Sequence, residues 1–365
     1  MAKVAVAMSG GVDSSIAAAL LKHGGYEVVG VAMKIWGGET LLREGIHHGC
    51  YGPGEEEDIE DARKVAQVLE IPFYAFDLRE EYKGEVLDYF RREYLAARTP
   101  NPCIRCNRMI KFDALVRKIR SSGLEFDYFA TGHYARVKYD EEKRRFLLQK
   151  ARDLRKDQSY FLYSLSQEQL EHTLFPLGSY TKEEVREIAR GLGLAVHDKP
   201  ESQDFTAGGY SCLMEAVAQS GPILDKHENI LATHRGIQFY TIGQRKGLGI
   251  SSGQPLYVTA IDRERNTVVV GPREELYRDK LVASELNWIA IEKLEHPTKM
   301  KARIRYHHEE AEALVTPLYK GKVYVKFEEP QVAIAPGQAV VFYQGDMVMG
   351  GGTIERTERQ QIASN

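Results

Sequence analysis

Cysteine is scarce in this chain, with four among 365 residues. So few argue against a disulfide scaffold and fit a reducing compartment. An excess of one charge is missing as well. The 49 Lys and Arg against 52 Asp and Glu leave a net charge of −3, so an anionic partner such as RNA has to be held by local basic patches. No apolar run is long enough to span a bilayer, and the run after Met1 is too short for a secretory signal. These absences predict a soluble, cytoplasmic protein with no membrane partner. Internal repeats and low-complexity tracts are also lacking, and the length suits two or three ordinary domains.

What is present begins at Lys3. Val4, Ala5, Val6, Ala7 and Met8 form a nearly unbroken apolar run, the pattern of a strand buried on both faces of a parallel sheet. Ser9-Gly10-Gly11 breaks the strand, and an Ala- and Leu-rich helix follows from Ser14 to Lys22. Strand, glycine turn and helix start bring free backbone N–H groups and the positive end of the helix dipole to one point, which suits phosphate. Ser9, Ser14 and Ser15 add hydroxyl donors. No Gly-Lys-Ser/Thr follows the glycines, so this is not a Walker A loop.

Further strands are expected at Glu27–Met33, Pro72–Phe76 and Asp127–Thr131, with a helix at Glu57–Leu69. Their alternation predicts an α/β doubly wound parallel sheet that binds ligands at the carboxyl ends of its strands. Gly37–Gly54 reads as a long loop of the kind that covers such an edge. Gly132 and His133 follow the fourth strand directly and fall at the same edge. From about Ser202 helices become rare. A hairpin is expected at Tyr257–Ile261 and Thr267–Val270 around a turn at Arg263–Asn266, and β character continues through Tyr324–Phe327 and Ala339–Tyr343. The expected domains are residues 1–207 (catalytic), 208–280 (small, β-rich), 281–357 (β-barrel-like), and a polar tail at 358–365.

Thr99-Pro-Asn-Pro-Cys-Ile-Arg-Cys-Asn107 is the second informative stretch. Its prolines argue against a helix through it, which would leave Asn107 to cap a helix near Met109 and Cys106 close to that helix start. Arg105, Arg108 and Lys111 lie close in sequence, and both features favour a reactive thiolate at Cys106. Cys103 and Cys106 make a C-x-x-C, which fits a redox pair or half of a metal site.

SGGVDSS at 9–15, RTPNPxxxCN at 98–107, ATGHY at 130–134, KDQSYFLY at 156–163, TIGQRKGLGI at 241–250 and PGQ at 336–338 occur in that order. The first resembles the signature of the PP-loop ATP pyrophosphatases, and together the six resemble the bacterial tRNA-specific 2-thiouridylases. That resemblance implies ATP-dependent adenylation of the C2 oxygen of a tRNA wobble uridine, followed by sulfur transfer. It implies an ATP site at Ala7, Met8, Ser9, Gly10, Gly11, Val12, Asp13, Ser14, Met33 and Gly132, with Asp13 helping to hold Mg²⁺ and pyrophosphate. It places Asn101, Pro102 and Cys103 at the target base and makes Cys106 the nucleophile. Lys156, Asp157, Gln158, His133, Arg305, Tyr306 and Gln338 would touch tRNA at its anticodon stem-loop, and a sulfur-donor or relay protein is a further partner.

The chain departs from that family at two positions. Cys103 stands where an aspartate is usual, and Thr206 stands where a second cysteine usually serves the persulfide relay. Cys212 is one substitute for the missing thiol. A sharper expectation is a [4Fe–4S] cluster on Cys103, Cys106 and Cys212. Cys50, beside His47 and His48, reads as an incidental cysteine of the loop. Lys299, Lys301, Arg303 and Arg305 alternate with apolar residues, which puts four cations on one strand face for an RNA backbone. Arg245 and Lys246 form a second basic turn, and Tyr240 and Tyr306 are candidates for base stacking.

Overall fold

The computed structural model describes residues 1–38, 49–194, 204–206, 213–214 and 218–358. Two compact units divide the chain. The first holds Met1–Leu87, Pro102–Tyr210 and Gly345–Val348, and the second holds Asp88–Asn101, Ser211–Gln344 and Met349–Asn365.

The first unit is built on a five-stranded sheet of β1 (Lys3–Ala7), β2 (Glu27–Lys34), β4 (Phe73–Asp77), β5 (Tyr128–Thr131) and β8 (Thr173–Leu174), in the order β4-β2-β1-β5-β8. Every neighbouring pair is parallel. Val4, Ala5 and Val6 of the central strand are fully buried, as an unbroken apolar run requires when helices cover both faces. Helix α1 (Val12–His23) buries Ile16, Ala17, Ala18 and Ala19 together. Small side chains there let it pack against the strands, helix α2 (Glu55–Val68) and the later helix at Lys182–Gly191 in one apolar core. A three-residue strand, β3 (Gly49–Tyr51), runs parallel to β9 (Asp204–Thr206). An antiparallel hairpin, β6 (Ala135–Asp140) with β7 (Arg145–Lys150), lies outside the expected alternation.

The cysteine segment differs from its expected form. Helix α4 (Pro102–Cys106) runs straight through it, widens into a π-helical stretch at Asn107–Ala114, and continues to Ser121. Proline is tolerated in a first helical turn because the N–H it lacks has no partner there in any case. Asn107 is therefore no cap. It is 2% exposed, and its Nδ2 donates to the Phe161 carbonyl at 3.1 Å. Helix α5 (Lys182–Gly191) is started by a reciprocal capping box between Thr181 and Glu184.

In the second unit β10 (Gly221–Leu224), β11 (Ile230–His234), β12 (Tyr257–Asp262) and β13 (Thr267–Gly271) form one sheet, which includes the expected hairpin. The remaining strands are β14 (Tyr277–Trp288), β15 (Thr298–Arg303), β16 (Ala311–Leu318), β17 (Lys322–Val332), β18 (Ala339–Gln344) and β19 (Met347–Glu358). Their order β14-β17-β16-β15-β18-β19, with β14 also paired to β19, closes an antiparallel barrel. Closure removes the exposed sheet edges.

Candidate active site

The amino end of α1 follows from its sequence. Gly10 has a φ of +72°, and a Cβ there would fall 2.2 Å from the Asp58 carbonyl oxygen, so only glycine fits the turn. Gly11 precedes the helix and offers no side chain, so no side-chain cap bonds the first-turn N–H groups. Ser14 Oγ accepts from the Ser9 N–H at 3.1 Å and donates to the Gly11 carbonyl at 3.2 Å, which braces the loop from within. Gly132, at the end of β5, lies hard against this turn. A Cβ on it would sit 2.7 Å from the Asp13 carbonyl carbon and the Ser14 nitrogen. The glycine loop and the Ala130–Tyr134 motif are thus one site.

Asp13 is held by two side chains far away in sequence. Lys182 Nζ donates to both carboxylate oxygens at 2.7 and 2.8 Å, and the Tyr134 hydroxyl donates to Oδ1 at 2.9 Å. Tyr134 is fixed in turn by Gln158, whose Oε1 accepts from the Tyr134 N–H while the Gln158 N–H donates to the Tyr134 carbonyl. Asp157 is 3% exposed and accepts from Ala151 N, Ser159 N and Ser159 Oγ. Its carboxylate is thus committed to the backbone and hydroxyl of its own loop. Through Gln158 and Tyr134 the motif at 156–163 is linked by hydrogen bonds to Asp13. Lys182 was missed in the sequence, where only its proximity to a helix start set it apart.

His133 Nδ1 shares a hydrogen bond with Thr131 Oγ1 at 2.7 Å, and its ring meets Phe112 and Phe175 at 6.1 Å. Burial, aided by the nearby Lys111 charge, holds its pKa well below the usual imidazole range, so it remains neutral at physiological pH. Cys106 also differs from expectation. Because the helix begins at Pro102, Cys106 has no helix start to acidify it. The residue is half-buried, and the protein packed around its thiol pushes the pKa up to about 11, with Lys111 opposing and Cys50 adding to the shift. At pH 8 a thiol of that acidity is about one part thiolate per thousand. We expect iodoacetamide to modify Cys106 about tenfold faster per pH unit between pH 7 and 10, followed by peptide mass spectrometry. A plateau by pH 8 would contradict the buried thiol.

The two expected cluster ligands among the described residues, Cys103 and Cys106, lie one turn apart on the same helix. Among the described residues no three His, Cys, Asp or Glu side chains converge as a metal site, and Cys212 lies outside those residues, as do His47, His48 and the tail beyond Glu358. Asp13, expected to help hold Mg²⁺, is ion-paired with Lys182.

In the second unit three motifs meet. Thr99 N donates to the Pro336 carbonyl at 2.7 Å, Thr99 Oγ1 to Thr241 Oγ1 at 3.4 Å, and Gln338 Nε2 to the Pro100 carbonyl at 3.3 Å. Gln338 therefore braces the segment that leads to Asn101. The basic strand is also corrected. Lys299 and Lys301 pair with Glu328 and Glu312. The strand ends at Arg303, whose guanidinium lies 5.8 Å from the Tyr306 ring, and Arg305 falls in the turn beyond. Tyr240 is 6% exposed and packs against His234, so it sits in the core of its unit.

A parallel sheet whose central strand turns through glycines into a buried helix defines a PP-loop domain of the HUP type. Family models for a tRNA methyl transferase HUP domain, a tRNA methyl transferase PRC-barrel domain and an aminomethyltransferase beta-barrel domain match residues 2–207, 213–272 and 278–354. The tRNA-specific 2-thiouridylase MnmA of Moorella thermoacetica is 53% identical over 96% of this chain and 98% of its own length. Its namesakes from Acetivibrio thermocellus and Clostridium perfringens are each 50% identical over 97% of this chain, covering 99% and 98% of theirs. A 4-thiouridine synthetase solved with RNA and ATP is 18% identical over 57% of this chain and 46% of that chain, with a TM-score of 0.37, too slight a likeness to argue from. The chain belongs to the tRNA-specific 2-thiouridylase family.

Proposed function

We propose that this protein is a cytoplasmic tRNA-uridine 2-sulfurtransferase. It uses ATP to adenylate the C2 oxygen of a wobble uridine, and sulfur then displaces AMP. The observation that carries this reading is the uncapped amino end of α1, bounded by Gly132 and by the Asp13–Lys182–Tyr134 network. Free N–H groups of the first turn, with Ser9 nearby, suit the nucleotide phosphates, and the Lys182 ammonium is a fixed positive charge for the departing pyrophosphate. Mg²⁺ would enter as the counter-ion of the nucleotide phosphates.

Ala7–Ser14, Met33 and Gly132 form the ATP site in this reading, within a catalytic module at 1–207. Asn101, Pro102 and Cys103 meet the base, Cys106 carries the sulfur, and Lys156, Arg305 and Tyr306 meet the RNA backbone. Modules at 208–280 and 281–357 hold the RNA. Sulfur arrives on Cys106 when its thiolate attacks the outer sulfur of a persulfide-bearing donor protein and the donor thiolate leaves, a step that the raised Cys106 pKa makes faster as pH rises. Adenylation converts the C2 oxygen, otherwise a poor leaving group, into part of AMP.

The test supplies ATP, a persulfide donor and an unmodified tRNA with a wobble uridine, and scores AMP and 2-thiouridine by chromatography and mass spectrometry. One AMP per 2-thiouridine, with both dependent on the tRNA, is the expected result. ATP–pyrophosphate exchange that proceeds without RNA would instead mark a PP-loop ligase of a small molecule.

A further inference from the structure

Strand β2 outruns its neighbour β1. Their last paired residues are Ala7 and Val31, and the Met8 N–H donates to the Val31 carbonyl at 2.8 Å before the chain turns off through Ser9 and Gly10. β2 continues to Lys34, held on its other side by β4 in the register Met33↔Phe76 and Lys34↔Asp77. The Lys34 carbonyl accepts from the Leu78 N–H at 2.8 Å. Successive residues of a strand turn their backbone groups to opposite edges. Val31 faces β1 and Lys34 faces β4, so Met33 turns its N–H and C=O to the β1 side, where no strand flanks it. A donor and an acceptor side by side on an open edge match the N1 acceptor and the 6-amino donor of adenine. Guanine presents the two in the opposite order.

The end of that edge is fixed by a side chain of α2. Glu55, the first residue of the helix, accepts through Oε1 from the Ile35 N–H at 2.6 Å and the Trp36 N–H at 3.0 Å. Ile35 comes next after Met33 in the alternation, so the carboxylate takes the N–H that would otherwise extend the open edge. The same helical turn abuts the phosphate loop, since a Cβ on Gly10 would meet the Asp58 carbonyl oxygen at 2.2 Å. One turn of α2 thus touches both the loop suited to the phosphates and the strand end suited to the base. Its neighbour Glu56 is exposed.

We propose that Glu55 is the positioning residue for the nucleotide base: by clamping Ile35 and Trp36 it holds the Met33 N–H and C=O in register with the phosphate loop. This rests on the ATP site of the reading above. Glu55 acts through the backbone and meets no reacting atom, so its removal weakens nucleotide binding and spares the chemical step.

The full-length protein is titrated with ATP and with GTP in the absence of tRNA, and AMP formation is followed with tRNA present. Glu55→Ala should raise Kd and KM for ATP roughly tenfold, keep kcat within about twofold and narrow the preference for ATP over GTP. Glu55→Asp keeps the charge but withdraws the oxygens by one methylene, about 1.5 Å, and should bind ATP as weakly as Glu55→Ala. Glu55→Gln keeps an acceptor oxygen at the same reach and should recover most of the affinity, while Glu56→Ala should match the parent. A thermal melt checks folding, and the Asp and Gln variants carry the comparison if Glu55→Ala unfolds. Parental affinity and ATP preference in folded Glu55→Ala or Glu55→Asp, or a loss of kcat with Kd unchanged, would overturn the clamp. A parent that shows the Glu55-dependent ATP binding but forms no 2-thiouridine would support the clamp and overturn the thiolation reading. A parent that binds no ATP would overturn both.

Discussion

Lys182→Met is expected to lower the rate of tRNA-dependent AMP formation by about 10²–10³-fold. Lys182 is 6% exposed, and its ammonium bonds both oxygens of Asp13 at the amino end of α1. Methionine keeps much of the stem's volume but removes the only cation that this network places on Asp13. Two effects then add: the site loses its positive charge for pyrophosphate, and Asp13 becomes an uncompensated negative charge beside incoming phosphates. Lys182→Arg retains the charge and should recover part of the rate. Single-turnover AMP release measures this, and a thermal melt separates it from unfolding. A folded Lys182→Met protein with the parental rate would remove Lys182 from the mechanism.

Gly132→Ala should have a comparable effect by a different route. Its Cβ would lie 2.7 Å from backbone atoms of Asp13 and Ser14, and backbone in a helix's first turn cannot swing aside as a long side chain would. Overpacking of this kind costs about 1–3 kcal/mol. A shift of the turn by even about 1 Å is expected to weaken ATP-dependent turnover around a hundredfold. Gly84→Ala is the matched control, because a Cβ there meets nothing within 4 Å. Thermal unfolding and ATP titration should separate the two variants. Equal behaviour would mean that the close approach at Gly132 does not constrain the site.

Much of the first unit was legible because its signals are local. An apolar run between polar ends is a buried strand wherever it lies, and two glycines before an Ala-rich stretch are a turn before a helix. The same local reading failed at Pro102. Proline reads locally as a helix breaker, yet Pro102 opens α4, because a first-turn residue needs no N–H donor. The error carried over to Cys106, whose supposed place at a helix start implied an acidic thiol where the fold makes a basic one. Hairpin β6–β7 was overlooked since its strands follow a helix-rich pattern with no tight-turn dipeptide between them.

By itself the sequence determined the strand–loop–helix that receives phosphate, the order of the motifs and the family they mark. Each depends on residues adjacent in the chain or one helical or pleated repeat apart, where backbone geometry dictates the outcome. Only the tertiary structure decided that Lys182 lies on Asp13, that Gln158 sets Tyr134 and that Gln338 braces Pro100. Those neighbours are brought together by the summed burial of a whole domain's apolar surface, a long-range effect that no local spacing records.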